Sequence, residues 1–276
     1  SNNGKSYDTS FNITIRDDVD TIAITQDPTL VFNHGDAFDA SNGKLTVNYK
    51  SGNSVIVDLD EATITESDGS TVEMSPLASK YVNNKLTKQL KVTYGGEETS
   101  YNITLQNVVD SIAIGSVSPK TTYNLNDSTV GVGGNIVVTR KAGNTEDVNI
   151  EDSMVSGLNT SLAGTGKTAT VTYTDEFNVT KTITYNYDVV DNVTKIDISV
   201  PSKSIYKHGE QIETNGTITV HYASGTTSNV TMTESMIKDG SGAVNMSPTF
   251  SEYTNNKIDK VLTIEYSEGG VTKSIN

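Results

Sequence analysis

The sequence predicts an all-β chain built from tandem β-sandwich repeats. Three observations predict it: phrases that recur with a period of about 85–90 residues, alternation of apolar and polar residues within each phrase, and turn-forming Gly, Asn and Asp between the phrases. The 276 residues suffice for two or three domains. Only 34% of them are hydrophobic, so thin sandwich cores fit the composition better than one large core.

The repeat is clearest at the strand that closes each unit. The segment 10–15 (SFNITI) returns at 100–105 (SYNITL) and more loosely at 184–189 (TYNYDV). The segment 273–276 matches 99–102, so the third copy stops inside its last strand. Each complete copy runs into a phrase that opens a repeat. These opening phrases lie at 21–24, 111–114 and 195–198.

Alternation within the phrases predicts strands with one buried face. Leu45, Val47 and Tyr49 fall on one side of a strand, and Thr46 and Asn48 fall on the other. We expect similar inward rows in every repeat. They are Leu90, Val92 and Tyr94; Ala169, Val171 and Tyr173; and Leu262, Ile264 and Tyr266.

These phrases divide the chain into four predicted parts. Residues 1–18 are the last strand of a preceding repeat or a donor strand, 19–107 are repeat 1, 108–192 are repeat 2, and 193–276 are repeat 3 with a truncated last strand. No Pro- or Ser-rich linker separates the repeats. We therefore expect short joints that limit hinging and give a semi-rigid rod.

The sequence resembles the bacterial immunoglobulin-like repeats of surface proteins, of the tandem Big type. The resemblance lies in 216–226 (GTITVHYASGT), in 151–157 and in 164–173, and it covers essentially the whole chain. The outer two repeats depart from the pattern by longer segments, 74–88 and 246–260. The resemblance implies immunoglobulin-like sandwiches on the bacterial cell surface, as stalks, adhesins or accessory modules of secreted enzymes, and it implies no catalytic residues.

The expected function is therefore a non-catalytic extracellular stalk, or a filament-forming structural segment, of a bacterial cell-surface protein. An adhesive module for a glycan or host protein and an accessory region of a larger secreted enzyme remain as alternatives. The expected partners are neighbouring copies or repeats of the same protein, and a cell-wall or host glycan or protein. A net charge of −14 argues against nucleic acid, and the sequence has no apolar run long enough for membrane insertion.

Chemical motifs are weak in this sequence. The absence of cysteine excludes disulfides and thiol catalysis. Residues 164–168 (GTGKT) resemble the end of a phosphate-binding loop, but a strand pattern follows them where a helix is required. His34, His208 and His221 are spread over two repeats, which favours solvated turn residues over a zinc site. No cofactor is expected.

Acidic residues near turns are the weak candidates for a metal site. Asp58, Asp60, Glu151 and Asp152 carry oxygen ligands that suit calcium, although their spacing does not fit an EF-hand. A solvated acidic surface is the favoured interpretation, and calcium is the lesser one.

Aromatic residues in the longer segments are the weak candidates for partner binding. Tyr81 and Tyr253 lie there, outside the inward rows, and are expected at a contact surface.

The N-terminal strand has two interpretations. Residues 5–17, with Phe11, Ile13 and Ile15 on one side, match the last strand of a repeat whose remainder is missing. The first interpretation is that the chain was cut from a longer array. The second is that this strand completes the third repeat of a neighbouring copy by strand addition.

Overall fold

The computed structural model describes residue 4 and residues 9–275, and these residues are folded almost entirely into β-strands. Helical structure among them is confined to three-residue 3₁₀ turns, at Leu59–Glu61, Ala78–Lys80, Asp152–Met154, Glu234–Met236 and Phe250–Glu252. The predicted all-β class, with its sandwich-like pairs of sheets, is thereby confirmed.

Two sheets form from the strands of repeat 1. A three-stranded sheet has the order β1-β3-β4, and a four-stranded sheet has the order β2-β7-β6-β5. The strands are β1 (Val19–Gln26), β2 (Val31–Asn33), β3 (Lys44–Tyr49), β4 (Ser54–Asp58), β5 (Thr63–Glu66), β6 (Lys85–Tyr94) and β7 (Glu97–Gln106).

The inward rows of these two sheets face each other across a shared core. Leu45 and Val47 of β3 and Val92 of β6 are fully buried in one cluster, together with Leu59. Alternate residues along each strand reach this cluster because successive side chains of a strand point to opposite faces. The aliphatic residues of the predicted inward rows of repeat 1 are thus buried as expected, whereas Tyr49 and Tyr94 at their ends are half-buried.

Repeat 2 has the same sheet order. Its three-stranded sheet runs β11-β10-β8, and its four-stranded sheet runs β12-β13-β14-β9. The strands are β8 (Val109–Ile114), β9 (Thr122–Asn124), β10 (Asn135–Arg140), β11 (Thr145–Asn149), β12 (Val155–Ser156), β13 (Gly164–Thr174) and β14 (Thr180–Val190). β13 begins at Gly164, so the GTGKT motif lies in a strand and is not followed by a helix.

Repeat 3 departs from this order in its second sheet. Its first sheet runs β15-β16-β17, and its second runs β19-β18-β20-β21, with no counterpart of the short strands β2 and β9 among the described residues. The strands are β15 (Val193–Ser199), β16 (Thr217–Tyr222), β17 (Thr227–Thr231), β18 (Ile237–Asp239), β19 (Gly242–Ala243), β20 (Thr263–Glu268) and β21 (Val271–Ile275).

In repeats 1 and 2 the short strand after the first sheet strand runs parallel to the end of the last strand. β2 pairs with β7, and β9 pairs with β14. The same two bonds flank both ladders. They are Thr104 N to Leu30 O and His34 N to Gln106 O in repeat 1, and Asp188 N to Thr121 O and Leu125 N to Val190 O in repeat 2.

The described residues divide into two compact units. The first contains residues through Ala113 with Val137–Asp147 and Tyr173–Lys181; the second contains Ile114–Ile136, Val148–Thr172 and the residues from Thr182 onward. The strands of repeat 2 are therefore shared between the units. The sheets follow the sequence repeats, but the domain boundaries 19–107, 108–192 and 193–276 stay predictions.

Residues 9–18 form no strand with the described chain. A single β-strand needs a neighbour for its backbone hydrogen bonds, and the described residues provide none here. Residues 5–8 of the predicted strand lie outside the described residues.

Candidate functional site

The candidate functional site is the joint at which the chain enters a repeat. At three such places an Asp or Asn side chain accepts a hydrogen bond from a backbone N–H in the hairpin turn of the three-stranded sheet. The pairs are Asp17 with Ser51 N (3.1 Å), Asn107 with Ala142 N (2.8 Å) and Asp191 with Ser224 N (2.9 Å).

A second bond accompanies the first at each joint. The residue after the Asp or Asn offers its carbonyl oxygen to the N–H one residue earlier in the same turn. The pairs are Asp18 O with Lys50 N (3.0 Å), Val108 O with Lys141 N (3.0 Å) and Asn192 O with Ala223 N (2.9 Å). We call these two bonds the joint clasp. It satisfies two turn donors that would otherwise need water, and it fixes the direction in which the chain enters the repeat.

Repeat 2 adds a buried arginine to its joint clasp. The Arg140 side chain is only 3% exposed. Its Nε and Nη2 donate to Glu146 Oε1 at 3.0 and 2.8 Å, Nη2 also donates to Glu176 Oε2 at 3.0 Å, and Nη1 donates to Asn107 O at 3.0 Å. Burial alone lowers the pKa of Arg140, but the hydrogen bonds to both glutamates outweigh it and hold the pKa above its ordinary value. The guanidinium therefore stays charged and tied to the joint.

A buried aspartate supports the same joint. The carboxylate of Asp175 accepts hydrogen bonds from Val109 N (2.8 Å), Phe177 N (2.9 Å) and Val179 N (2.9 Å). It lies 4.0 Å from Arg140 Nη1. A buried carboxylate is tolerated when it is hydrogen-bonded and near a cation, and Asp175 has both kinds of partner.

Side chains of repeat 1 reach the same cluster. Asn84 Nδ2 donates to Glu176 Oε1 at 2.7 Å, and Lys85 Nζ lies 5.7 Å from the ring centroid of Phe177. Asn84 follows Asn83 in a turn whose φ values, 58° and 50°, are left-handed. Asparagine adopts this conformation more readily than most residues, so the Asn-Asn pair shapes the turn that presents Asn84.

The candidate calcium ligands do not converge. Lys44 Nζ bonds Asp58, and Asp152 accepts hydrogen bonds from Gly131 N and Val132 N, which lower the pKa of its carboxyl. Asp60 and Glu151 are exposed. Within residue 4 and residues 9–275, no three His, Asp or Glu side chains gather as metal ligands. Calcium binding stays a prediction.

The two candidate partner-binding tyrosines are half-buried and bonded to histidines. The hydroxyl of Tyr81 lies 2.9 Å from His34 Nδ1, and that of Tyr253 lies 3.0 Å from His208 Nδ1. Burial, together with nearby Glu73, raises the pKa of Tyr81 to about 12. In repeat 1 the pair joins the longer segment to the turn that follows β2, and in repeat 3 to the equivalent turn at His208 and Gly209. The histidines were expected to be solvated; a partner 47 positions away in sequence was not predictable. A binding role for the tyrosines stays a prediction.

The donor-strand candidates, which precede repeat 1, are largely exposed. Phe11, Ile13 and Ile15 are 85%, 71% and 86% exposed. Other exposed apolar side chains lie in the longer segments. They are Leu77, Val82 and Phe250, at 71%, 73% and 88%.

A shallow depression lies on the outer side of β6 and β7. It has a volume of about 370 Å³ and is lined in part by Ser67, Gln89, Lys91 and Glu98. Lys91 Nζ donates to Glu98 Oε1 at 3.0 Å, so these two charged residues of the depression are paired with each other. Among the described residues, no helix is long and apolar enough to cross a membrane.

Comparison with known proteins gives distant likenesses to solved structures. No family model and no curated protein matches the sequence. The chain is similar to a structure of surface layer protein SbsC, domains 1-6, with 15% identity over 94% of this chain and 36% of that chain and a TM-score of 0.21. The crystal structure of the S-layer protein rSbsC(31-844) gives 17% identity, 92% and 38% coverage, and a TM-score of 0.22.

A third solved structure belongs to an adhesion protein. It is a tetra-tandem repeat in the extending region of a large adhesion protein, with 15% identity, 94% and 73% coverage, and a TM-score of 0.21. The chain thus spans well under half of the SbsC structures. Likenesses this weak carry no argument about function, which must come from the chain's own geometry.

Proposed function

We propose that this chain is a non-catalytic stalk segment of an extracellular bacterial surface protein and that it carries tension along its length. The observation that supports the proposal best is the parallel pairing of β2 with β7 and of β9 with β14. In each repeat the first of these strands lies near the entry of the chain and the second leads to its exit. Tension pulls them in opposite directions along their own axes, so their hydrogen bonds must break together.

The joint clasps suit the same role. Each one ties the chain entering a repeat to a hairpin turn of that repeat, by one side-chain and one backbone bond. Tension passing from β7 into β8 therefore reaches a fixed point before it reaches the core. At this joint the clasp is reinforced by Arg140, which binds the Asn107 carbonyl.

Composition also supports a surface location. The chain has a net charge of −14, which favours solubility and opposes nonspecific association. The chain has no cysteine, so its cores form without disulfides. We propose a bacterial cell-surface location on the basis of the resemblance to immunoglobulin-like surface repeats.

Single-molecule pulling in two directions tests the proposal. Since the chain has no cysteine, introduced cysteines are unique handles. In the double variant Thr122→Cys/Thr194→Cys, force applied between the two cysteines pulls β9 and β14 in opposite directions along their axes. In the double variant Thr122→Cys/Asn186→Cys, both cysteines lie near the same end of the β9–β14 ladder, because Thr122 lies opposite Asp188. Force applied between them separates the two strands from that end, so the hydrogen bonds break one after another. We expect a markedly higher rupture force for the first pair, in which the bonds break together. Equal forces for the two pairs would contradict a tension-bearing role.

An adhesive module is the second candidate function. The longer segments of the outer repeats expose apolar side chains, notably Leu77 and Phe250. The middle repeat has no segment of this length. Exposed apolar groups beside polar rims suit a glycan or protein surface. Loss of binding to purified cell-wall glycan in Phe250→Ser, but not in the matched surface variant Val200→Ser, would support adhesion. An accessory region of a larger secreted enzyme stays a prediction that no described residue favours.

A further inference from the structure

The first sheet of repeat 1 ends in an apolar edge strand. Strand β4 lies at one edge of the sheet β1-β3-β4 and, among the residues that the structure describes, pairs with β3 alone. Its sequence SVIVD contains no proline, lysine or bulge, which are features that protect an edge from further pairing. Val55 and Ile56 are 36% and 68% exposed. The edge is therefore a template on which another strand can add.

The equivalent edges of the other two repeats, β11 and β17, are polar. Their residues at the places of Ile56 and Val55 are Asp147 and Glu146 in repeat 2, and Asn229 and Ser228 in repeat 3. Charged and polar side chains on an edge strand oppose pairing with a further strand. Repeat 1 therefore differs from repeats 2 and 3 in having an edge that is open to association.

The backbone at this edge has polar groups that face away from β3. In an antiparallel ladder, alternate residues of a strand bond to one neighbour, and the residues between them face the other side. The bonds that flank the β3–β4 ladder are Tyr49 N to Asn53 O and Leu59 N to Gly43 O. They assign Val55 and Val57 to the β3 side. The N–H and C=O groups of Ser54, Ile56 and Asp58 therefore face outward.

We propose that β4 of one copy pairs antiparallel with β4 of a second copy, about a two-fold axis at Ile56. This register uses all three outward-facing residues of the strand. Ile56 exchanges both backbone hydrogen bonds with Ile56 of the second copy, and Ser54 pairs with Asp58 of the second copy. The long bond of 3.4 Å from Asp58 N to Glu61 Oε1 gives way to the new one. Two three-stranded sheets thereby become one sheet of six strands.

Apolar side chains meet on both faces of the new pair. Ile56 lies beside Ile56 of the second copy on the outer face, where both side chains lose contact with water. Val55 lies opposite Val57 of the second copy on the inner face, and the two-fold axis repeats this contact. Such an edge is self-complementary, because the same patch serves as both partners. This favours a second copy over an unrelated peptide as the occupant.

Charge complementarity favours the same arrangement. Lys50, in the hairpin turn that precedes β4, comes close to the 3₁₀ turn Leu59–Glu61 that follows β4 in the second copy. Lys50 is 63% exposed, and its pairing with Asp18 at 3.7 Å is weak because both side chains are in water. Asp60 and Glu61 are exposed as well. The dimer brings these opposite charges together twice, which partly offsets the repulsion between two chains of net charge −14.

This association goes beyond the stalk proposal, because it links two copies through repeat 1 and does not concern force along one chain. An isologous contact closes on itself, so the product is a dimer and not an open chain. The pulling experiment concerns β9 and β14 of repeat 2, whereas association concerns β4. Either result can fail while the other stands.

Sedimentation equilibrium over a range of chain concentrations tests the pairing, at an ionic strength of about 0.15 M, where charges are screened beyond about 8 Å. We expect the average mass to rise toward twice the monomer mass and no further. Ile56→Asp places two carboxylates opposite each other and should weaken the association by about tenfold or more. Repeat 2 has Asp147 at this place, so the substitution is compatible with the fold. The matched control is Val200→Asp in repeat 3, since Val200 is also 68% exposed, and it should dimerise as the unmodified chain does.

Chemical cross-linking locates the contact. Since the chain has no cysteine, Ile56→Cys provides a single thiol, and a short bifunctional maleimide should link two copies through it. Asn229→Cys, at the equivalent place on β17, should give little linked product. The proposal is overturned if the unmodified chain stays monomeric at every concentration, if both aspartate variants dimerise equally, or if both cysteine variants cross-link equally.

Discussion

At the residue scale, one glycine in each repeat permits the close approach of the sheet strand to its neighbour. The carbonyl oxygens of Gly43, Gly134 and Gly216 accept the N–H of Leu59, Ile150 and Met232, three apolar residues that are buried. A Cβ on Gly134 would lie 2.6 Å from the backbone nitrogen of Pro119, and its φ of +83° is left-handed. The position therefore excludes a side chain on two independent grounds.

We expect Gly134→Ala to destabilise its repeat by about 2–4 kcal/mol, through the strained φ and the backbone clash together. Gly143→Ala is the matched control, since Gly143 has a φ of +89° but nothing within 4 Å of its Cβ position. It should cost only about 1 kcal/mol. Differential scanning calorimetry of both variants gives the comparison, and similar losses would show that the clash is relieved by relaxation.

Arg140 is the residue whose loss should matter most at the joint. Arg140→Ala would remove the cation that lies 4.0 Å from the buried carboxylate of Asp175. It would also remove the guanidinium that donates to the Asn107 carbonyl. We expect a loss of about 3 kcal/mol, as for other broken buried pairs. The adjacent Lys141, 36% exposed and 3.7 Å from Asp36, is the control. Lys141→Ala should cost less than about 1 kcal/mol in urea unfolding; equal losses would contradict the role of burial.

At the element scale, the alternating phrases predicted strands well because a two-residue period is a local signal. The aliphatic residues of the inward rows of β3, β6 and β13 are buried where the alternation placed them, and the tyrosines at the ends of these rows are half-buried. The joint clasps were not predictable, since Asn107 and Ala142 are far apart in sequence. The pairing of Tyr81 with His34 was missed for the same reason. Each depends on which strands become neighbours.

The joint between β7 and β8 should weaken in acid. Burial raises the pKa of Glu176, but hydrogen bonds from its own backbone, Asn84 and Arg140 outweigh this and lower the pKa below its ordinary value. The ionised Glu176 carboxylate therefore stabilises the folded state fully above the unfolded pKa of about 4.3. This stabilisation is lost as the pH falls through the lower pKa of the folded state.

The melting temperature measured from neutral pH downward checks this dependence. Glu176→Gln should reduce the loss of stability below about pH 4.3. Asp110→Asn, which removes an exposed carboxylate on β8, should leave the loss largely as it is. If both variants follow the same curve as the unmodified chain, the joint is not the acid-sensitive element.

At the scale of the whole molecule, charge is the dominant property. With 34 acidic and 20 basic residues, the chain repels itself at neutral pH. Salt should therefore raise the melting temperature by screening. Calcium chloride should do no more than sodium chloride at equal ionic strength, because Asp58 and Asp152 already have bonding partners. A larger effect of calcium that Asp58→Asn or Asp152→Asn abolishes would contradict this expectation and identify a calcium site.

The joint clasp has an evolutionary consequence. Of its four participating groups at each joint, only one is a side chain, and Asp and Asn serve equally. A gene duplication that adds or removes one unit therefore keeps the two clasp bonds at the new junction, whereas the Arg140 cluster depends on the particular side chains of the joint between β7 and β8. Arrays of different copy number can arise by recombination alone, and the length of the protein can change faster than its sequence.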